Sequence, residues 1–271
     1  KSVKFDVKGS VSPGFGATLF LLTINRGHSW GWTSPAILVF AVLSLSSLWL
    51  FIRTERVAEA PLMPLHWLRT PNIILPIAIQ SLINFAYMGG FIVVPQMLER
   101  GLGYSASHVG WLIIARPLTF SITAPLASFF TMRAGERKSG VIGACAVIAS
   151  MLILSSLASG SSDLLVVLGL GLSGIGFGIA APALTALVAN AVDDETVGVA
   201  GAMQQLLSQM GAVLGSTVMI SIHEMTAGST TVVRSYGLAL LAGAVTASVA
   251  AVLAAKLQST DRSGTRSEAT A

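Results

Sequence analysis

The sequence has little charge. Only 10% of its 271 residues are Asp, Glu, Lys or Arg, against 53% hydrophobic residues. A soluble domain carries about 25% charged residues. With a mean hydropathy of +0.77, the composition excludes an ordinary water-soluble domain. There is one cysteine, Cys145, so no internal disulfide can form. It falls in mid-span, where a small core residue is expected. Carboxylates are missing from the middle of every apolar run. Neither H-E-x-x-H nor G-x-S-x-G occurs, and His28, His66, His108 and His223 fall in loops or at span ends without metal-ligand spacing. An intramembrane enzyme therefore ranks low, and no metal or other cofactor is expected. The net charge is +4, but the basic residues sit in short loops with no continuous basic face. That argues against a nucleic-acid partner. The chain opens on Lys1 without a signal-peptide pattern, so it is read as a fragment or a trimmed chain.

What the chain does contain is membrane-length apolar runs. Eight candidate spans lie near 9–25, 34–53, 72–95, 108–132, 140–159, 163–190, 197–223 and 234–256. The fold class is an all-α membrane protein with about eight transmembrane helices, in contact with a lipid bilayer. The first span is the weakest, being short and broken by Pro13, Gly14 and Gly16. Residues 54–71 form a long internal loop in which Pro61 and Pro64 break any helix. It reads as a linker whose Leu62, Met63, Leu65, Trp67 and Leu68 could lie on the membrane surface. Trp30, Trp32, Trp67 and Trp111 fall near span ends, as an aromatic belt would. Residues 257–271 read as a polar, disordered tail.

Lys and Arg orient the spans. One set of loops holds Lys1, Lys4, Lys8, Arg53, Arg56, Arg69, Arg133, Arg137, Lys138, Lys256, Arg262 and Arg266. The opposite set holds only Arg26, Arg100 and Arg234. By the positive-inside rule both termini are cytoplasmic.

The sixteenth basic residue, Arg116, stands inside an apolar run. With a helix start near His108 it lies about eight residues, or roughly 12 Å, into the membrane. A charge there faces a cavity or a partner. Pro117 follows it, freeing a backbone carbonyl one turn back. Two readings are open: Arg116 meets a substrate or an opposing carboxylate, or it is a structural residue bonded to freed carbonyls. Gln80, Asn84 and Tyr87 share a helix face, as do Gln205, Ser208 and Gln209. Amides in a bilayer need partners, so both faces are expected to point inward, as path lining or as glue between helices. Gly169-Leu170-Gly171-Leu172-Ser173-Gly174 matches G-x-G-x-x-G literally, but it lies inside a span with no strand before it. Close packing is the better reading: Gly174, Gly178 and Pro182 form one smooth stripe, and Gly211 and Gly215 another. The basic loop Arg133, Gly135, Arg137, Lys138 serves the positive-inside rule alone or gates the cytoplasmic side.

At Met132–Lys138, M-R-A-G-E-R-K, the chain resembles the major facilitator superfamily, and within it the fourteen-span drug/proton antiporters. The superfamily signature G-x-x-x-D-R-x-G-R-[RK] is matched by Ser128 at the first Gly, Met132 at the Asp, Arg133 at the Arg, Gly135 at the second Gly, and Glu136-Arg137-Lys138 at the basic end. The acidic member is absent. Trp30–Pro35, W-G-W-T-S-P, resembles the segment between the family's two extra central spans. Ala60–Arg69 is similar to the linker after them, Val94–Ser105 to the end of the ninth span, and Gly201–Gly215 to the thirteenth. The resemblance implies spans seven to fourteen: two inserted central helices within 1–53, a linker at 54–71, and the C-terminal six-helix bundle at 72–256. It implies alternating access, a missing N-terminal six-helix bundle carrying the main proton-coupling carboxylate, and export of small lipophilic, drug-like compounds in exchange for protons. The setting would be the bacterial inner membrane. Arg116, Gln80, Asn84, Tyr87, Phe120, Gln205 and Gln209 would line the path, with Phe85 and Phe177 suiting bulky substrates. The competing reading is a truncated, non-transporting membrane protein acting as a scaffold or partner subunit.

The orientation yields a direct expectation. A reporter fused after Lys138 should report the cytoplasm, and one fused after Ser229 the outside. The opposite pattern would invert the topology.

Overall fold

The computed structural model describes residues 33–55 and 65–257 throughout, and scattered positions from 16 to 31. Among the described residues all regular structure is helical. Six helical segments are long and apolar enough to cross a membrane: Pro71–Gly101, Ala106–Ala127, Glu136–Ser155, Asp163–Asn190, Val197–Ala227 and Val232–Ala255. They are preceded by α1 (Pro35–Glu55), whose apolar stretch Pro35–Ser47 is shorter. The expected first span at 9–25, the lead-in and the tail beyond 257 lie mostly or wholly outside the described residues.

Local chemistry sets the helix ends. α2 (Pro71–Gln96) starts with Pro71 in its first turn, where a missing amide costs nothing. Pro95 near its end cannot donate to the carbonyl one turn back, and the helix passes into a π turn over Met97–Gly101. Ser105 caps α3 (Ala106–Ile113) by accepting from the His108 amide. Tyr104, stacked on His108 just outside that helix, has its phenol held above the ordinary value. Burial is the main cause, followed by the hydrogen bond and charge of Asp163.

The expected span 108–132 matches one membrane-length segment, Ala106–Ala127, with an interruption at Ile114 that divides it into two helices. α3 stops at Ile113 and α4 (Ala115–Ala134) starts two residues on. Pro117 explains the break, since its ring disfavours a continuous turn before it. The expected basic loop is also shorter than a loop. Arg133 ends α4, Gly135 alone makes the turn at φ 85°, and α5 (Glu136–Ser155) begins at once. That φ lies in the left-handed region that glycine tolerates. α6 (Asp163–Asn190), α7 (Val197–Ala227) and α8 (Val232–Ala255) complete the bundle.

The helices pair as α2 with α7 and α8, α5 with α6 and α8, and α4 with α6. Lipid offers no hydrophobic drive between helices, so close contact of small residues does the packing. α8 buries Ala239, Ala244, Ala247, Ala250 and Ala254. The large apolar residues Trp111, Leu164, Val42 and Val245 face outward. Cys145 is exposed too, which corrects its expected place in the core. Trp67 departs from the belt and membrane-surface readings. It turns under the bundle and packs with Ile73, Ile77, Val188, Ala200 and Met203.

Glycines decide how near the helices come. A Cβ at Gly174 would run into the Thr119 hydroxyl and the Arg116 carbonyl on α4, and one at Gly178 would press on Thr123 at 3.1 Å. Pro182, two turns after Gly174, is half-buried and leaves α6 unbroken. A Cβ at Gly211 would strike the Ser81 carbonyl, and one at Gly215 the Phe85 carbonyl. Gly211→Ala should therefore destabilise the bundle by about 1–3 kcal/mol, as overpacking does, against the ~1 kcal/mol that alanine gains over glycine in a helix. Gly201→Ala, with nothing within 4 Å of its Cβ, should be neutral or stabilising. Thermal unfolding of the detergent-solubilised protein would separate the two; equal midpoints would refute the contact.

Candidate functional site

Arg116 is the second residue of α4, immediately after the helix break. It lies ten residues beyond the start of α3, about 15 Å along the membrane normal if untilted. It is only 1% exposed. Its Nε donates to the Ser173 hydroxyl on α6 at 2.8 Å, and its Nη1 to the Tyr87 carbonyl on α2 at 3.0 Å. The guanidinium also stands over the Tyr87 ring at 5.0 Å and the Phe91 ring at 5.8 Å, within the range where an aromatic face attracts a cation. Among the described residues no carboxylate pairs with it. Ser173 lies in the same glycine-rich stretch of α6 that mimics a nucleotide motif. Its hydroxyl accepts from the guanidinium and donates to the Leu170 carbonyl at 2.7 Å.

Aromatic rings continue from this point. Tyr87 stacks on Phe177 with centroids 4.5 Å apart, and Phe120 tilts against Phe177 at 5.8 Å. Three helices, α2, α4 and α6, thus bring Tyr87, Arg116, Phe120 and Phe177 into one cluster. Phe85 is partly buried against the main core and contributes its backbone to the α7 contact.

The polar face of α2 is buried at Gln80, Asn84 and Tyr87. Asn84 Nδ2 donates to both the carbonyl and the hydroxyl of Ser208 on α7, each at 2.9 Å. Gln80 Oε1, Ser81 Oγ and Asn84 Oδ1 are buried without a hydrogen-bond partner. The α7 face needs correction by one residue. Gln205 and Gln209 are exposed, so they do not bind α7 to its neighbours in this bundle. Gln204, which the sequence reading passed over, is buried and donates to the Thr185 hydroxyl at 3.2 Å. The stripe Gln204, Ser208, Gly211 and Gly215 faces inward because the Gly211 and Gly215 contacts with α2 fix the rotation of the helix.

At the turn between α4 and α5 the basic side chains have separate partners. Arg133 stands over Phe129, 4.3 Å from the ring centroid. Arg137 donates to the Ala255 carbonyl at the end of α8, where unpaired carbonyls attract cations. Glu136 accepts from Asn190 at the end of α6 at 3.2 Å. Lys138 is exposed. Among the described residues no group of His, Cys, Asp and Glu could hold a metal ion.

Comparison with known proteins agrees with this architecture. The family profile described as Major Facilitator Superfamily matches residues 76–270. The chain is 27% identical over 219 residues to "Multidrug resistance protein Stp" of Mycobacterium tuberculosis, covering 81% of this chain and 41% of that protein. It is 22% identical over 228 residues to "Multidrug transporter protein MdtP" of Bacillus subtilis, covering 84% and 42%. Against "Quinolone resistance protein NorB" of Staphylococcus aureus the figures are 27% over 244 residues, 88% and 51%. The chain thus spans about half the length, or less, of these curated relatives. The profile covers the six-span bundle from α2 to α8, and the chain belongs to the major facilitator superfamily, a family of membrane transporters and not of enzymes.

Proposed function

We propose that this chain is part of a secondary active transporter that exports lipophilic, drug-like compounds in exchange for protons by alternating access. Residues 72–256 would be its C-terminal six-helix bundle, with two central helices before the linker at 54–71. The remainder of the natural polypeptide would supply the N-terminal bundle. Both termini would be cytoplasmic, in a bacterial plasma membrane.

The observation that carries this reading is the aromatic and cationic cluster inside a bundle of this family. Tyr87, Phe120 and Phe177 offer π-faces around a buried guanidinium. Such a wall suits bulky apolar compounds with a few polar groups. The relatives' names, which speak of multidrug and quinolone resistance, support the same substrate class. The exposed amides Gln205 and Gln209 lie on a side of α7 that this bundle leaves uncovered. An opposing bundle would cover them, and they would then border the path between the two halves. The turn at Arg133, Gly135, Arg137 and Lys138 would serve as the cytoplasmic gate.

Full-length protein in proteoliposomes should move ethidium in response to a proton gradient, and a protonophore should abolish the movement. Phe177→Ala should lower transport by about tenfold, equivalent to ~1.4 kcal/mol, at unchanged protein level. Arg116→Ala should also impair it. Movement that persists without a gradient would refute proton coupling; unchanged transport in both variants would remove this cluster from the path.

A further inference from the structure

Among the described residues nothing holds one side of Arg116. A guanidinium carries five N–H donors in a rigid plane. Two of them are anchored, on Ser173 and on the Tyr87 carbonyl, and because these partners belong to α6 and α2 they fix that plane. The third nitrogen, Nη2, is buried and has no acceptor. It borders a cavity of about 70 Å³ lined by Gly90, Phe91, Pro95, Ile113 and Leu170. Apart from the guanidinium itself, the lining residues are apolar side chains and one glycine. Gly90 keeps the space open: a Cβ there would stand 3.3 Å from Nη2 and 3.0 Å from the Met151 methyl. Phe91, 49% exposed, is the wall toward the outside of the bundle.

The chemistry of this space is selective. Water could enter, since a cavity of ~10–15 Å³ already holds one. Water would satisfy the N–H groups and leave the charge unbalanced. The rings of Tyr87 and Phe91 attract the cation but carry no net charge. A full positive charge in a low-dielectric interior favours an anion far more than a neutral acceptor. One free nitrogen in a narrow apolar space suits one oxygen of a planar, singly charged group. A phosphate, with more charge, would need more donors than Nη2 offers.

We propose that this pocket is a receptor for a carboxylate, which docks on Nη2 while Ser173 and the Tyr87 carbonyl hold the guanidinium in place. The proposal rests on the transporter reading above and names what that site binds. The carboxylate has two possible sources: the transported compound, or an Asp or Glu from the part of the full-length protein that completes the path.

The test uses purified full-length protein and two probes alike in shape but not in charge, 2-naphthoate and 2-naphthamide, with binding followed by titration calorimetry. With a substrate carboxylate, the wild type binds naphthoate about tenfold more tightly than naphthamide, the scale of a charge-assisted hydrogen bond. Arg116→Gln erases that ratio, whereas Arg116→Lys keeps part of it. With a carboxylate from the protein itself, the wild type shows no preference. The preference then appears when one intramembrane Asp or Glu of the full-length protein is changed to its amide. No preference in the wild type or in any such variant overturns the proposal. Should Arg116→Gln fail to fold, the wild type and Arg116→Lys carry the comparison. Ethidium transport separates the two readings: transport with no naphthoate preference in the wild type or in any Asp or Glu variant sinks the receptor alone, and naphthoate preference without transport sinks the transporter alone.

Discussion

A guanidinium inside hydrocarbon is the constraint around which this bundle is arranged. A cation at that depth costs several kcal/mol unless its donors find acceptors. The acceptors here come from two other helices: the Tyr87 carbonyl on α2 and the Ser173 hydroxyl on α6. Bringing three helices to one side chain demands close approach. Gly174 supplies it on α6, where a methyl would meet the carbonyl of Arg116 itself. The break between Ile113 and Ala115 adds to this, since it puts Arg116 in the first turn of α4. Removing any of these three features would leave the charge in place and take away what holds it.

The same economy of small residues runs through the rest of the bundle. In water, helices associate by hiding large apolar side chains; in lipid those side chains are equally content outside. Large apolar side chains accordingly stand on the surface, Trp111 among them, as well as in the core, while glycines make the closest contacts. Where α7 lies on α2, backbone meets backbone at Ser81 and Phe85, and the Asn84 bonds to Ser208 lock the register. That contact carries a cost. Three polar oxygens, on Gln80, Ser81 and Asn84, are left buried without donors. Unmet acceptors in such a seam each carry a desolvation cost, which the close backbone contact has to offset.

The turn at Gly135 shows how local chemistry and assembly divide the work. A basic cluster there satisfies the topological rule for membrane insertion. Its individual side chains do more than carry charge. Arg137 closes the end of α8, Glu136 ties α5 to α6, and Arg133 lies on an aromatic ring. Gly135 alone permits the reversal that places all three.

Much of the fold was legible in the sequence because membranes impose simple rules. A span must be long and apolar, and its loops must sort their cations; the six long spans follow from that. Arg116 stood out for the same reason, as the one charge in the wrong solvent. The stripes at Gly174, Gly178, Gly211 and Gly215 could be read from spacing. Rotation about each helix axis could not. In a helix apolar on every side, no periodicity marks the inner face: of Gln205, Ser208 and Gln209, all expected to point inward, only Ser208 is buried in this bundle, and Gln204 joins it there. Cys145 was misplaced for the same reason, and Trp67 because its packing against α2, α6 and α7 is set by contacts far along the chain. The sequence by itself determined that the chain crosses the bilayer and where a charge must be accommodated. Only the tertiary structure decided which groups meet that charge, because Ser173 and Tyr87 become its partners through packing between helices and not through spacing along the chain.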